Sequence, residues 1–481
     1  MQIGIDFGTS YSAAAACIDG KLHGVRFGDH AQFRTAVFFP AAVPNPDDFV
    51  LTDALEAEVE SHIRSARAAQ RRALDNWQQR LSEAQALPAE RRVQAMALIS
   101  EPAERTESDL RAAALRAVRH SWMERSVRDS RSASVKVNDA IFGDDAIDAY
   151  ISDGFGHLVE SPKSMLGYNL LPGAKKIILH IATHVLEHIR LSATRQLGVP
   201  VRAAILGRPV EFKSAMGPEG TTQALSMLTE AAQAAGFEQV SFLEEPAAAA
   251  MHYHTQRATP ERSLIVDVGG GTTDIAYAEV GGPAASPRIF GSWGLPKGGT
   301  DIDIEMSLNA FMPLFGRGEP GIPVHHFREA ASVQSPPLQR EFRSHNYRNT
   351  PAPFRHRLMA LQRLGATSQL NREAERMKIH LGAERLGRVD LDFIEDGLTA
   401  DLDRAHHDAA YGGFLDRLRA VLDRARLAIG ETPDSIFLTG GSSRSPAIQS
   451  TISAMFPAVP LVIGDASLGV VSGLAAAAAM A

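Results

Sequence analysis

Residues 264 to 276 read LIVDVGGGTTDIA, and this stretch restricts the fold more than any other. Leu264, Ile265 and Val266 suit a buried strand, while Gly269, Gly270 and Gly271 suit only a sharp turn, so the pattern predicts a strand, a tight turn and a returning strand. A turn without Cβ atoms lets backbone N–H groups close on an anion; Thr272 and Thr273 add hydroxyl donors, and Asp267 and Asp274 flank it. Carboxylates beside a phosphate require a cation between them, for which Mg²⁺ is the first choice. Alone, the stretch also describes a glycine-rich hairpin with no ligand. Residues 3 to 12, IGIDFGTSYS, repeat the design: a strand, Asp6, Gly8, then Thr9 and Ser10. Asp6 and Asp267 hold equivalent positions, so the chain reads as two halves of one phosphate clamp.

At 481 residues the chain exceeds what one hydrophobic core usually supports, and two or more lobes are expected. A net charge of −7 with 22% charged residues is mild, which argues against a nucleic-acid binder or a polybasic membrane protein. The N-terminus runs straight into the strand Ile3 to Phe7 without the pattern of a signal peptide, and the apolar run Gly473 to Ala481 is too short to span a bilayer. One cysteine, Cys17, permits no internal disulfide and fits a reducing compartment. A cytoplasmic monomer is expected.

Between these landmarks, residues 3 to 39 read as an antiparallel meander with turns at Asp19-Gly20 and Gly28-Asp29. From about Asp53 to Arg131 the composition is helical, broken near Pro88 and Pro102, with dense mixed charge that suits solvated helix faces. Residues 135 to 171 read as short strands and turns, followed by an amphipathic helix with Ile177, Ile181, Val185 and Ile189 on one face. Gly236 is placed to stop the helix that begins near Thr221. Glu244-Glu245-Pro246 opens another helix, with proline at its first turn. GLPKGGTDID, holding Gly298 and Gly299, leads into a helix ending near Phe315. Residues 316 to 357, rich in proline, arginine and histidine, read mostly as exposed loop and short helix, where the basic excess suits either a solvated loop or a partner or anion. A helix from about Asn371 to Leu381 puts Glu375 and Lys378 on one face, and Gly469 to Ala479 closes the chain as a helix of small residues suited to close packing on a sheet.

Five elements, IGIDFGTSYS, SPKSMLG, LEEPAAAA, VDVGGGTTD and LTGGSSRSPAI, in that order and separation resemble the nucleotide-binding domain of the DnaK-type, or Hsp70, chaperones. That family sits in the superfamily that also holds actin and the sugar kinases. The resemblance implies an α/β actin-like ATPase fold with two lobes, each a central mixed sheet with flanking helices, plus a helical insertion. Its subdomains are expected at 1–40 with 172–258 and at 41–171 for the first lobe, the insertion covering about 53–131, and at 259–293 with 411–481 and at 294–410 for the second.

By the same resemblance ATP or ADP and Mg²⁺ are the cofactors, and Asp6 and Asp267 hold the metal largely through water. Gly8, Thr9, Ser10 and Tyr11 form one phosphate loop; Gly269, Gly270, Gly271, Thr272 and Thr273 form the other, with Gly298 and Gly299 beside them. Lys163 reaches the γ-phosphate and the attacking water, Glu245 completes the metal and water network with Asp274, and the Thr272 hydroxyl sits near the γ-phosphate. Gly440, Gly441, Ser442 and Arg444 match the adenosine loop, and Glu375 and Lys378 the pair that bonds the ribose.

Departures are also visible. Ile379 and Gly382 stand where the family has arginine and serine at the adenine, and Ser467 where an aspartate is usual. The chain stops at Gly473 to Ala481, where DnaK-type chaperones continue into a peptide-binding domain; it resembles the short bacterial homologues of the YegD type. The function expected is slow Mg·ATP hydrolysis coupled to lobe closure, with a protein client or co-chaperone as partner. The alternatives are a nucleotide-gated binding module, a small-molecule kinase of the same superfamily and a filament-forming actin relative.

Overall fold

The computed structural model describes residues 1–39, 49–86, 88, 102, 106–132, 140–153, 157–170, 172–214, 216–465 and 468–480; Ser467 lies outside them. The chain divides into two compact units, Met1–Phe39 with Val137–Ala481, and Pro40–Lys136. Among the described residues no helix is long and apolar enough to cross a membrane.

The larger unit is a mixed α/β structure built on two sheets of one design. In the first, β1 (Gln2–Phe7), β2 (Tyr11–Ile18) and β3 (Lys21–Gly24) form an antiparallel meander with β4 (Gln32–Arg34) added to β2, and β8 (Ala203–Arg208) and β9 (Gln239–Glu244) extend it in parallel from β1. In the second, β10 (Glu261–Val268), β11 (Thr273–Val280) and β12 (Arg288–Leu295) form the meander, and β15 (Ser435–Thr439) and β16 (Leu461–Ile463) extend it in parallel from β10. Asp6 and Asp267 therefore stand on corresponding strands, each the first of its meander and each flanked by a parallel neighbour. A small sheet pairs β5 (Ala36–Phe39) with β6 (Ile141–Phe142) and β7 (His157–Glu160), and β13 (Leu386–Asp390) with β14 (Thr399–Asp403) is a separate hairpin.

The helix Gly469–Met480 lies against β1, β2 and the helix Glu245–His254. Small residues let it approach: a Cβ on Gly4 would meet the backbone N of Ala475 at 2.4 Å, and one on Gly473 the carbonyl oxygen of Ala248 at 1.7 Å. Such backbone contact leaves no room for a side chain.

Three readings of the sequence are corrected. Residues 316 to 357 hold short helices, Val324–Ala331, Pro336–Ser344 and the start of Phe354–Leu361, but are not mostly exposed: Phe327, Phe342 and Tyr347 are buried in the large core. The prolines there open helices, where a missing N–H is harmless, instead of marking loop. Within 135 to 171 a helix, Asp144–Asp153, buries Ala146, Ile147 and Tyr150 against the small sheet; residues 135 to 139 lie outside the described ones. In the helix Pro172–Leu197 the buried stripe is Ile178, Ile181, Val185, Leu186 and Ile189, while Ile177 is exposed. Gly236 takes a φ of 93°, the left-handed stop the sequence calls for.

The smaller unit is an antiparallel helix pair, Asp53–Gln85 and Glu107–Ser132. Leu55, Val59, Ile63, Ala114 and Val118 bury one seam; Phe49 meets Trp122 at 5.4 Å at one end, and Arg67 pairs with Glu107 at the other. Thr52 caps the first helix by accepting from the Leu55 N–H at 3.4 Å.

Candidate functional site

The two glycine turns pack on each other. Gly8 to Ser10 joins β1 to β2, and Gly269 to Thr272 joins β10 to β11, closed by the Gly269 N–H donating to the Thr272 carbonyl at 3.0 Å. A Cβ on Gly270 would lie 2.1 Å from Ser10 Oγ, and one on Gly271 2.2 Å from Thr9 Oγ1, so the hydroxyls of the first turn rest on the backbone of the second. Behind the second turn, the N–H groups of Gly299 and Thr300 donate to the Gly269 and Gly270 carbonyls at 3.0 and 2.8 Å. Ser442 Oγ donates to the Gly269 carbonyl at 3.3 Å, and Gly440, at a φ of 85°, passes so close to Asp267 that a Cβ would meet its Oδ1 at 2.3 Å. Three motifs far apart in sequence thus share one patch of backbone.

Lys163 enters on a short 3-10 turn, Pro162–Met165, after Ser161 at φ 55° and ψ 53°. That left-handed conformation is unfavourable for serine and is held by its own N–H donating to the Thr35 carbonyl at 2.9 Å. Lys163 Nζ donates to Glu245 Oε1, both side chains buried. Glu245 is the first residue of its helix, where the macrodipole favours a carboxylate.

These residues line one cavity of about 530 Å³, within the size range of small-ligand pockets. Asp6, Lys163, Glu245, Asp267, Gly8 to Tyr11, Gly269 to Thr272, Gly299, Glu375, Lys378, Gly440, Gly441, Ser442 and Arg444 all contribute. Thr273 does not: it is buried in β11 with its hydroxyl donating to the Lys297 carbonyl at 2.9 Å. Gly298 is also outside the lining, packed against the Gly269 and Gly270 carbonyls.

The acidic end carries unbalanced charge. Burial, then repulsion from Glu245, pushes Asp6 up to about 7 against the pull of Lys163. The same two causes raise Asp274 to about 8, although it accepts from the Val210 N–H at 2.6 Å, and they hold Asp267 well above the carboxylate range. For Lys163, burial works downward, but the carboxylates of Glu245 and Asp6 outweigh it and the net direction is up. Asp267 Oδ1 and Asp274 Oδ2 are buried without a hydrogen-bond partner. Four carboxylates against one ammonium, with orphaned oxygens, is a donor set that fits a hard divalent cation such as Mg²⁺. Among the described residues, no three of these carboxylates bring oxygens within 4.8 Å of one another, so the fit is to an ion that keeps part of its water shell.

Comparison with known proteins supplies the kinship. Residues 215–291, which span the second glycine turn, match the MreB/Mbl protein family. Chaperone protein DnaK of Prochlorococcus marinus (strain MIT 9515) is 29% identical over 282 residues, covering 56% of this chain and 37% of that protein. Chaperone protein DnaK of Trichormus variabilis (strain ATCC 29413 / PCC 7937) is 28% identical over 281 residues, covering 56% of this chain and 34% of that protein. The chain is thus similar to the DnaK, or Hsp70-type, chaperones over about half its length and to the MreB/Mbl family over the second glycine turn. The matched stretch spans little more than a third of either DnaK relative.

Beside this cavity, behind the lining residues Tyr11 and Glu375, sequence reasoning missed Arg34. Its guanidinium donates to Asp144 Oδ1 at 2.8 Å and to Tyr11 Oη and Glu375 Oε2 at 2.9 Å each, and stands 5.0 Å from the centre of the Tyr11 ring. No motif around Arg34 announces this role, since its three partners come from distant segments. Asp303 was missed too, although it lies inside GLPKGGTDID: it pairs with Lys378 Nζ at 2.7 Å. Glu375 and Lys378 thus share a helix, Ala366–Ala383, but each is held by its own partner. Ile379 and Gly382 line the cavity next to them, and neither side chain offers a hydrogen bond.

Proposed function

We propose that this chain binds Mg·ATP in the 530 Å³ cavity, hydrolyses it slowly by in-line attack of water, and opens and closes around the nucleotide. The observation that carries the reading is the convergence of both glycine turns, the Lys163–Glu245 pair and the Gly440 loop on that one cavity. In phosphoryl transfer, negative charge spreads over the γ-oxygens, so the protein has to supply cations, backbone donors and position. Thr9, Ser10 and the Gly269 to Gly271 backbone provide donors, the Thr272 hydroxyl another, and Lys163 the cation beside the γ-phosphate. Glu245, bonded to Lys163, fixes that ammonium and orients the attacking water. Mg²⁺, held by Asp6 and Asp267 through water, would neutralise the phosphates. At the other end Arg444 covers the base, where a guanidinium stacks on a π face, and Glu375 with Lys378 reaches the ribose.

The likeness to the DnaK chaperones supports a chaperone-related use, in which nucleotide sets affinity for a protein partner in the cytoplasm. Calorimetry with Mg·ATP, and turnover measured with and without an unfolded client, test the reading. Lys163→Ala is expected to keep nucleotide binding and lose hydrolysis. No Mg-dependent binding by the wild type rejects the whole proposal; binding without turnover moves it to a nucleotide-gated module.

A further inference from the structure

The basic stretch that the cavity does not use holds a second cluster. His325 and His326 stand in the helix Val324–Ala331, and His345 follows the helix Pro336–Ser344. One ring nitrogen of each lies within 4.8 Å of the others. The rings of His326 and His345 are stacked, with centroids 3.5 Å apart and planes 15° from parallel, and His325 meets His326 edge-on at 4.6 Å. Glu329, four residues after His325 and three after His326, is on the same helix face and is buried. Its Oε2 lies 2.5 Å from His345 Nε2 and its Oε1 3.9 Å from His325 Nε2; among the described residues, its ion-pair partners are these two histidines.

We propose that His325, His326 and His345, with Glu329 behind them, form a structural site for one divalent first-row transition-metal ion of the zinc class. Imidazole nitrogens suit that class, and carboxylate supplies the compensating charge; a hard ion such as Mg²⁺ prefers an all-oxygen set. Around a tetrahedral ion with Zn–N bonds of about 2.0–2.1 Å, ligand nitrogens lie about 3.4 Å apart, so an ion would draw the cluster in and splay the stacked His326 and His345 rings. The surroundings have the pattern of a metal site's outer ring: His345 faces the Glu329 carboxylate, and His326 Nδ1 lies 3.2 Å from the Tyr347 hydroxyl, leaving each imidazole one nitrogen outside that bond. The frame is fixed as well. Gln362 Nε2 donates to the carbonyls of Phe342 and His345 at 2.8 and 2.9 Å, and Gln339 Nε2 to those of Glu329 and Ala330 at 2.8 and 3.1 Å. His325 is exposed, which gives an ion its way in. A bound ion would staple the helix Val324–Ala331 to the segment after Pro336–Ser344.

The test uses the full chain, stripped with a chelator and kept in excess Mg²⁺ so that the carboxylate cavity is occupied. Titration with Co²⁺, read by its visible spectrum, and with Zn²⁺, read by calorimetry, is expected to give one ion per chain and a raised melting temperature. His325→Ala, at an exposed position that leaves folding intact, is expected to weaken binding at least tenfold, and Glu329→Gln to weaken it by a similar factor. His180→Ala, which removes a separate histidine pair joined at 2.8 Å to His184, is expected to change nothing. Zn²⁺ affinity that is equal in the wild type and His325→Ala, or a loss caused instead by His180→Ala, overturns the proposal. Because His325→Ala needs no buried group, the outcome holds even if His345→Ala fails to fold.

Discussion

His188 shows how strongly one buried ring ties stability to pH. It stacks on Phe142 with centroids 4.3 Å apart and planes at 12°, and contacts Phe27 and Phe33 at 5.6 and 5.4 Å. Burial, assisted by Arg195, lowers its pKa to about 4, so the folded protein holds the ring neutral where the unfolded chain would protonate it below about 6.5. Between those values the unfolded state binds the extra proton. Its contribution is therefore complete above pH 6.5 and is lost as pH falls toward 4, by roughly 3 kcal/mol at most. Urea unfolding at pH 7 and pH 4.5 should show that loss in the wild type and a flatter profile in His188→Phe; identical slopes would reject the assignment. Lys163 makes the opposite point. Its ammonium is held charged by the carboxylates around it, so removing it leaves buried negative charge that a bound cation or proton uptake has to offset.

At the scale of elements, the helix Gly469–Met480 owes its position to the absence of side chains. Gly473→Ala would drive a Cβ into the backbone of Ala248, which cannot rotate away, and should cost about 3 kcal/mol or more. Gly413, exposed in the helix Arg404–Ile429 with nothing within 4 Å of a Cβ, is the contrast: Gly413→Ala should stabilise by about 0.5–1 kcal/mol. Denaturant midpoints of the two variants should move in opposite directions, and a shared direction would mean the close approach is not what fixes the helix. The alanine-rich composition made this packing legible in advance. The burial of the short helices within 324 to 361 was not legible, because their prolines and arginines look exposed until Phe327, Phe342 and Tyr347 are seen in the core. Local composition reports solvent preference, and it fails where a few aromatic anchors decide burial.

For the whole molecule, the repeated sheet order explains why two motifs 261 residues apart, at Asp6 and Asp267, reach one place: each ends the first strand of an identical meander. Arg34 then links the first sheet to the helix Ala366–Ala383 through Glu375, and Arg372 of that helix pairs with Asp148. If nucleotide release requires these contacts to part, Arg34→Ala should speed release of a fluorescent ADP analogue about tenfold, on the scale of one charge-assisted hydrogen bond. An unchanged off-rate, measured by stopped flow, would show that Arg34 is not a restraint on the cavity.

The order of motifs in the sequence determined the resemblance to the DnaK-type chaperones, the paired-sheet α/β design and about two thirds of the cavity lining, because glycine turns, strand-terminal aspartates and hydroxyls leave few other solutions. Tertiary structure decided what depends on partners from elsewhere in the chain. It turned Thr273 into the core and Gly298 against a turn, paired Lys378 with Asp303, and brought Arg34 to Glu375. It also gathered three histidines around one buried carboxylate. A local pattern fixes backbone shape, whereas the position of a side chain's charge partner is set only when distant segments fold together.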